Sequence, residues 1–251
     1  MELPQSVIGK YKISRLICGG NPFSHTAHSG NLTYVSRLFA AYLTHDKIVE
    51  TLSLCEDNGI NTLIARADDN VVEFLGKYEK KRKKRIQWIA QTAPERTPVE
   101  ENIQFVADNG AIGCFIQGGQ AGKLFSEGKV DDILKYVSLI KEKGMIAGVG
   151  AHDPRVITTA ENAGAETDFY FLTINNVDYQ CDDPKLASET MNSIDKPFIG
   201  FKVLGAGRTH PKDGFQFAVD SGADFLAVGM FDFQVLENIK IAKSIFRMSH
   251  P

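Results

Sequence analysis

No apolar run in this 251-residue chain approaches the ~20 residues that a membrane-spanning helix needs, so the expectation is that no membrane is a partner. Cysteine is sparse: Cys18, Cys55, Cys114 and Cys181 lie far apart and form no C-x-x-C pair. The opening Met1-Glu2-Leu3-Pro4 lacks a charged segment followed by an apolar one. Together these point to a cytoplasmic protein with reduced thiols. Cys18 and Cys114 sit inside apolar runs and read as small core residues. A basic excess is missing too, since 28 Lys and Arg stand against 31 Asp and Glu for a net charge of −3. Nucleic acid is therefore not an expected partner. The one basic run, Lys80 to Arg85, sits where the dipole of a preceding helix favours cations. Tryptophan occurs once, at Trp88; it and the scattered aromatics, including Phe39, Tyr42, Tyr170 and Phe233, are assigned to packing rather than to sugar stacking.

What the chain does have is a repeating alternation of a short apolar run, a polar loop and an amphipathic stretch. Eight such units are counted. The strands are predicted at Leu16–Gly20, Thr62–Arg66, Ile86–Gln91, Cys114–Gln117, Ile146–Val149, Phe169–Thr173, Phe198–Val203 and Phe225–Val228. Helices with a period near 3.6 are predicted at Asp46–Asn58, Asn70–Lys83, Pro98–Asn109, Val130–Lys143, Pro154–Ala163, Pro184–Ser193, Pro211–Ser221 and Gln234–Arg247. Four of these open at or beside proline, which suits a first helical turn. Asn58-Gly59, Asn109-Gly110, Lys143-Gly144 and Ser221-Gly222 each place Gly after a helix and before a strand, as helix C-caps do. Residues 1–251 are thus expected to form one α/β domain, a (β/α)8 TIM barrel, of ordinary length for that fold. A doubly wound open sheet is the competitor, but no long crossover or composition break supports it. The longest segment predicted without a regular element is Asn21–Thr44.

Val7-Ile8-Gly9-Lys10-Tyr11-Lys12-Ile13-Ser14-Arg15-Leu16, followed by Gly19-Gly20-Asn21-Pro22-Phe23, resembles the opening of the aldo-keto reductase family. Gly59-Ile60-Asn61-Thr62 through Leu75-Gly76 resembles that family's second strand and helix, and Val203-Leu204-Gly205-Ala206-Gly207 its seventh-strand loop. Gly229-Met230 with Glu237-Asn238 resembles its eighth-strand loop. The resemblance spans nearly the whole chain. It implies a short N-terminal hairpin beneath the barrel and, at Gly205, Gly207, Arg208, Gly229 and Asn238, a grip on a cofactor or phosphate.

The same resemblance implies an Asp, a Tyr, a Lys and a His at set strand ends, and this chain departs from it at all four. Ile64 or Ala65 stands near the place of the Asp, Asp69 or Asn70 near the Tyr, Gln91 near the Lys and Gly118 near the His. Carbonyl reduction needs a proton donor held by a cation, which amides and glycine do not supply. The implied nicotinamide contacts differ as well. Gly150 and Ala151 replace a Ser-Asn pair, Leu172 a Gln and Gln234 an Arg, while Phe201 keeps an aromatic face.

A different polar set gathers at the predicted strand ends: Asn21, His25 and His28; Arg66, Asp68 and Asp69; Gln91 and Glu95; Gln117 and Gln120; His152 and Asp153; Asn175, Asn176 and Tyr179; Lys202 and Arg208; and Asp232. Several have an ordinary explanation. Asp69, Asp153 and Asp232 can be helix caps, and Glu95 and Tyr179 need nothing beyond exposure in a loop. Lys202 is harder to dismiss because it interrupts the apolar run Pro197–Phe201 near the top of a strand. It could exchange protons, form a Schiff base or hold an anion, against the plainer alternative of an ion pair with Asp232, Asp68 or another carboxylate of the mouth. Proton exchange is preferred here over a Schiff base alone. His152 follows a buried strand and is assigned as its acid or base partner.

The first reading is non-redox acid–base chemistry by an isomerase, epimerase or lyase acting on a small polar carbonyl or sugar-like substrate. Lys202, His152 and Asp68 are its catalytic candidates, with Asn21, Arg66, Gln91, Gln117 and Asn176 binding substrate. A second reading is an oxidoreductase that keeps NAD(P) and has relocated its proton donor. A third is a ligand-binding barrel without catalysis. His25 and His28, three residues apart, could join His152, Asp68 or Glu95 around a divalent metal. A homo-oligomer is compatible with the sequence.

Overall fold

The computed structural model describes residues 2–27, 30, 32 and 34–248, with the side chain of Met248 excepted. β1 (Gln5–Ile8) and β2 (Tyr11–Ser14) form an antiparallel hairpin, as the resemblance implied. Eight parallel strands follow: β3 (Leu16–Gly19), β4 (Thr62–Arg66), β5 (Gln87–Gln91), β6 (Gly113–Ile116), β7 (Ile146–Ala151), β8 (Phe169–Thr173), β9 (Phe198–Phe201) and β10 (Phe225–Gly229). They pair in the ring β10-β3-β4-β5-β6-β7-β8-β9, and β10 pairs β9 to close it. Each is within two residues of its predicted bounds at either end.

The helices are α1 (Val35–Tyr42), α2 (His45–Asp57), α3 (Asp69–Arg82), α4 (Val99–Asp108), α5 (Gly118–Ser126), α6 (Val130–Glu142), α7 (Pro154–Asn162), α8 (Pro184–Ser193), α9 (Pro211–Asp220) and α10 (Asp232–Met248). Two were not predicted. α1 lies within the segment expected to lack regular structure, although Val35, Leu38, Phe39 and Tyr42 have helical spacing. α5 carries Gly118, Gly119 and Gly122, each costing about 1 kcal/mol relative to Ala, so propensity argued against it. Gly59, Gly110, Gly144 and Gly222, placed after helices in the sequence reading, all adopt positive φ, at 100°, 81°, 76° and 108°.

The alternation of side chains along each strand separates two cores. Residues such as Cys18, Leu63, Trp88, Cys114, Val149, Tyr170, Phe198 and Val228 point outward and pack against the helices. Their neighbours Ile17, Ile64, Ile89, Phe115, Ile146, Phe169, Phe171, Ile199, Phe225 and Ala227 fill the barrel, joined by Ile8 and Ile13 of the hairpin. The hairpin therefore plugs one end and leaves the carboxyl ends of the strands as the other face. Gly148 belongs to the inward set, and a Cβ there would lie 2.5 Å from the Phe169 ring, so its lack of a side chain lets that ring cross the interior. All four cysteines are buried and free. Among the described residues, no helix is long and apolar enough to cross a membrane.

Candidate active site at the carboxyl ends of the strands

Counting outward in steps of two from the interior set gives the residues whose side chains face the mouth. Arg66 follows Ile64, Gln91 follows Ile89, Gln117 follows Phe115, Thr173 follows Phe171 and Phe201 follows Ile199; His152 closes the series that runs through Ile146, Gly148 and Gly150. The floor beneath them is aromatic. Phe201 stacks on Phe171 with ring centres 4.1 Å apart, and Phe171 lies 4.5 Å from Phe115.

On this floor His152 and Lys202 approach the same ring. The imidazole centre of His152 is 5.3 Å from that of Phe201, and its Nδ1 is 2.7 Å from Thr173 Oγ1, which fixes the ring's orientation. Lys202 follows an inward-facing residue, so an extended backbone would turn its side chain toward the helices. Instead it takes φ = 56°, a left-handed conformation unfavourable for a side chain with a Cβ, and the strand ends there. Its Nζ lies 6.0 Å from the centre of Phe201 and 5.2 Å from that of Tyr179. Among the described residues no carboxylate forms an ion pair with it. Half-burial against these aromatic faces penalises the ammonium form and brings the amine down to about 8 from an ordinary 10.5.

The alternative ion pairs for Lys202 are ruled out by where the carboxylates go. Asp232 accepts from Tyr42 Oη at 2.7 Å and from Lys47 Nζ at 3.1 Å, and it opens α10 rather than capping it. Asp68 lies 3.6 Å from Arg66 Nε and 3.9 Å from Arg96. Asp68 is also the N-cap of α3, accepting from Val71 N at 3.0 Å, a role the sequence reading gave to Asp69. Arg66 is held from the other side by Glu95. Asp68 therefore positions Arg66 and caps a helix.

Loops complete the rim. Asn175 is fully buried; its Oδ1 accepts from Val177 N and Tyr179 N, at 3.2 and 3.0 Å, and its Nδ2 donates to Tyr179 O at 2.9 Å. This folds the chain after β8 so that the Tyr179 ring meets both Lys202 and Arg208, the latter 4.1 Å from the ring centre. Neighbouring Asn176 is exposed. Asn21 is exposed as well. Gln117 caps α5, its Oε1 accepting from Gln120 N at 3.2 Å. Asp153 caps α7 and pairs with Arg155, which holds its carboxyl below the usual range. Gln91 ends β5 half-buried.

The residues assigned to a phosphate are less open than expected. The N–H groups of Gly205, Gly207 and Arg208 donate to Lys202 O, Leu204 O and Leu204 O, at 2.7, 2.8 and 3.0 Å, so the turn satisfies them internally. Arg208 Nη1 donates to Gly205 O at 2.6 Å, but no carboxylate pairs with it among the described residues. Gly229 lies against Pro22, and Asn238 is buried within α10. Gln234 accepts from Phe231 N. For the metal reading, no cluster of three or more His, Cys, Asp or Glu occurs among the described residues. His25 Nε2 is 3.4 Å from Leu43 O, and His28 lies outside the described residues. Two surface hollows lie elsewhere: one of about 580 Å³ along α10, at Leu236, Lys240, Lys243 and Arg247, and one of about 200 Å³ at Leu75, Arg85, Trp88 and Asn109. Neither is lined by a strand-end residue.

No protein-family model matches the sequence, and no curated protein does. Solved structures do match. A protein of Pseudomonas aeruginosa described as an aldo-keto reductase superimposes with a TM-score of 0.72 at 15% identity, over 98% of this chain and 97% of that one. The fold is that of an aldo-keto reductase barrel. The holo form of an aldo-keto reductase from Bacillus halodurans gives 0.66 at 12% identity, over 96% and 91%. An aldo-keto reductase enzyme from a Medee basin deep-sea metagenome library gives 0.65 at 10%, over 97% and 94%. At such identities the likeness is one of fold. This aldo-keto reductase-like barrel is divergent in sequence, and its strand ends carry Arg66, Gln91, His152 and Lys202.

Proposed function

We propose that the chain is an enzyme of acid–base chemistry, an isomerase, epimerase or lyase acting on a small polar carbonyl or sugar-like substrate at the carboxyl ends of the strands. The observation that carries this reading is Lys202: an amine near pH 8, without a carboxylate partner among the described residues, turned toward the mouth by a left-handed backbone. Such an amine is present in both protonation states near neutral pH, which general acid–base work requires. His152, bonded to Thr173 and packed against the Phe201 ring, is the second proton carrier. Arg66, fixed by Asp68 and Glu95, offers hydrogen-bond donors for a substrate oxygen.

The oxidoreductase reading draws on fold alone. The residues present do not fit NAD(P) well: no tyrosine and lysine stand together at the ends of β4 and β5, one face of Phe201 is covered by Phe171, and the amides after Gly205 are bonded within their turn. Thermal-shift titration with NADH, NADPH and divalent cations, alongside exchange of substrate C–H for deuterium in heavy water, tests the proposal. The expected result is deuterium incorporation into small hydroxy- or oxo-compounds that depends on Lys202 and His152. Saturable stabilisation by a dinucleotide without such exchange would establish the second reading instead.

A further inference from the structure

Resting on that acid–base reading, and specifying its substrate, we infer that Lys202 Nζ is an imine-forming nucleophile for a small carbonyl compound bearing an anionic group, with Arg208 holding the anion. Three observations converge. The amine sits on aromatic faces, Tyr179 at 5.2 Å and Phe201 at 6.0 Å, so its protonated form lacks compensation by a carboxylate. The second cation, Arg208, lies against the same Tyr179 ring and is likewise without a carboxylate among the described residues. Two cations against one ring, neither paired with a carboxylate among the described residues, favour an anion beside the nucleophile. Finally, the left-handed φ of Lys202 places on the mouth a side chain that strand alternation would send outward, and backbone strain retained at a functional group suits a role as a fixed nucleophile. Titratable and charged groups that share a ring with the amine are Tyr179 itself and Arg208, from the loops flanking β9, and His152, against Phe201 from the end of β7.

The step is balanced with water as the only by-product. The lone pair of unprotonated Lys202 attacks the carbonyl carbon, forming C–N while the C=O π pair moves to oxygen, which takes a proton. The nitrogen then gives up a proton, the hydroxyl leaves as water after protonation, and a protonated imine remains. In this scheme His152, which lies against the same Phe201 ring, delivers and collects these protons. The positive imine withdraws electrons from the neighbouring carbon, so its C–H proton passes to His152 and leaves an enamine, the common intermediate of isomerisation and of carbon–carbon cleavage.

The test treats the whole chain with pyruvate, glyoxylate or dihydroxyacetone phosphate in the presence of borohydride, followed by intact mass and peptide mapping. Hydride addition to the imine gives a stable secondary amine, and the expected product is a single adduct on Lys202, absent from Lys202→Arg. With these anionic probes Arg208→Gln should lower trapping about tenfold, as loss of one charge-assisted contact does, and it should lower trapping of neutral glyceraldehyde by less. Deuterium exchange into pyruvate is followed in parallel. Exchange that depends on Lys202 without any adduct would overturn the imine and leave the acid–base reading standing. An adduct spread over surface lysines and unchanged in Lys202→Arg would also overturn it. Absence of both adduct and exchange with all probes would overturn the two readings together.

Discussion

Replacing Lys202 with Met should make the protein more stable at pH 7. A lysine whose folded-state pKa lies below its unfolded value binds fewer protons when folded, so folding becomes more favourable as pH rises from about 8 toward 10.5. Below pH 8 the ammonium is charged in both states and the folded protein carries the full desolvation cost. The fall from 10.5 to about 8 corresponds to about 3 kcal/mol at about 1.4 kcal/mol per tenfold change in proton affinity. Because the side chain is only half-buried, solvent screening reduces that to about 1–2 kcal/mol. Methionine keeps the unbranched stem and the contacts with Tyr179 and Phe201 while removing the charge. The gain should appear as a rise in Tm of roughly 2–8 °C at pH 7 for a chain of this size. Denaturation of parent and Lys202→Met at pH 7 and pH 10.5 reads both the gain and its disappearance as the parental amine becomes neutral. A variant that is less stable at pH 7, or whose advantage does not change with pH, would refute the claim that Lys202 is a desolvated, uncompensated charge.

Other changes probe the rest of the mouth and the barrel beneath it. Thr173→Val removes the hydroxyl at 2.7 Å from His152 Nδ1; it should cost about 1 kcal/mol in chemical denaturation and slow deuterium exchange about tenfold by freeing the imidazole. Gly148→Ala forces a methyl to within 2.5 Å of the Phe169 ring and should destabilise the barrel by about 3 kcal/mol, measured by urea unfolding. Asp68→Ala should cost about 1–2 kcal/mol by removing the cap on Val71 N, whereas Asp68→Asn should keep most of that stability, because an amide oxygen also accepts there. Exchange rates of these two variants then separate the cap from the support that the carboxylate gives Arg66.

Sequence patterning reached the barrel because its signals are local. β4 and β8 match their predicted bounds, and helix-ending glycines such as Gly59 and Gly222 adopt the positive φ that made them recognisable. α5 escaped because Gly118, Gly119 and Gly122 oppose a helix in isolation; Gly118 fits there because the chain packs close to Ala151, whose N would lie 3.3 Å from an added Cβ. Tertiary packing overrode propensity at that point. α1 differs, since Val35, Leu38, Phe39 and Tyr42 have helical spacing within a segment whose length alone suggests a loop.

The site was legible by residue type and not by arrangement. Histidine, lysine and arginine at strand ends could be named, but no pattern distinguishes Asp68 as cap and support from Asp68 as catalyst, because both roles use an acidic residue just past a strand. Asp232 illustrates the same limit: it pairs with Tyr42 and Lys47, residues nearly two hundred positions away in a helix that had not been foreseen and at the start of the next. Lys202 is the sharpest case. Alternation along β9 puts Phe201 inward, and one step further should carry a side chain to the helix layer, where a lysine would need a partner. A backbone angle of 56° accompanies the opposite outcome, at the start of the turn after β9, where Gly205 N bonds to Lys202 O at 2.7 Å. The amine's chemistry therefore depends on a turn conformation. Any substitution in residues 203–207 that lets Lys202 relax to extended backbone should abolish exchange even though every side chain at the site is retained.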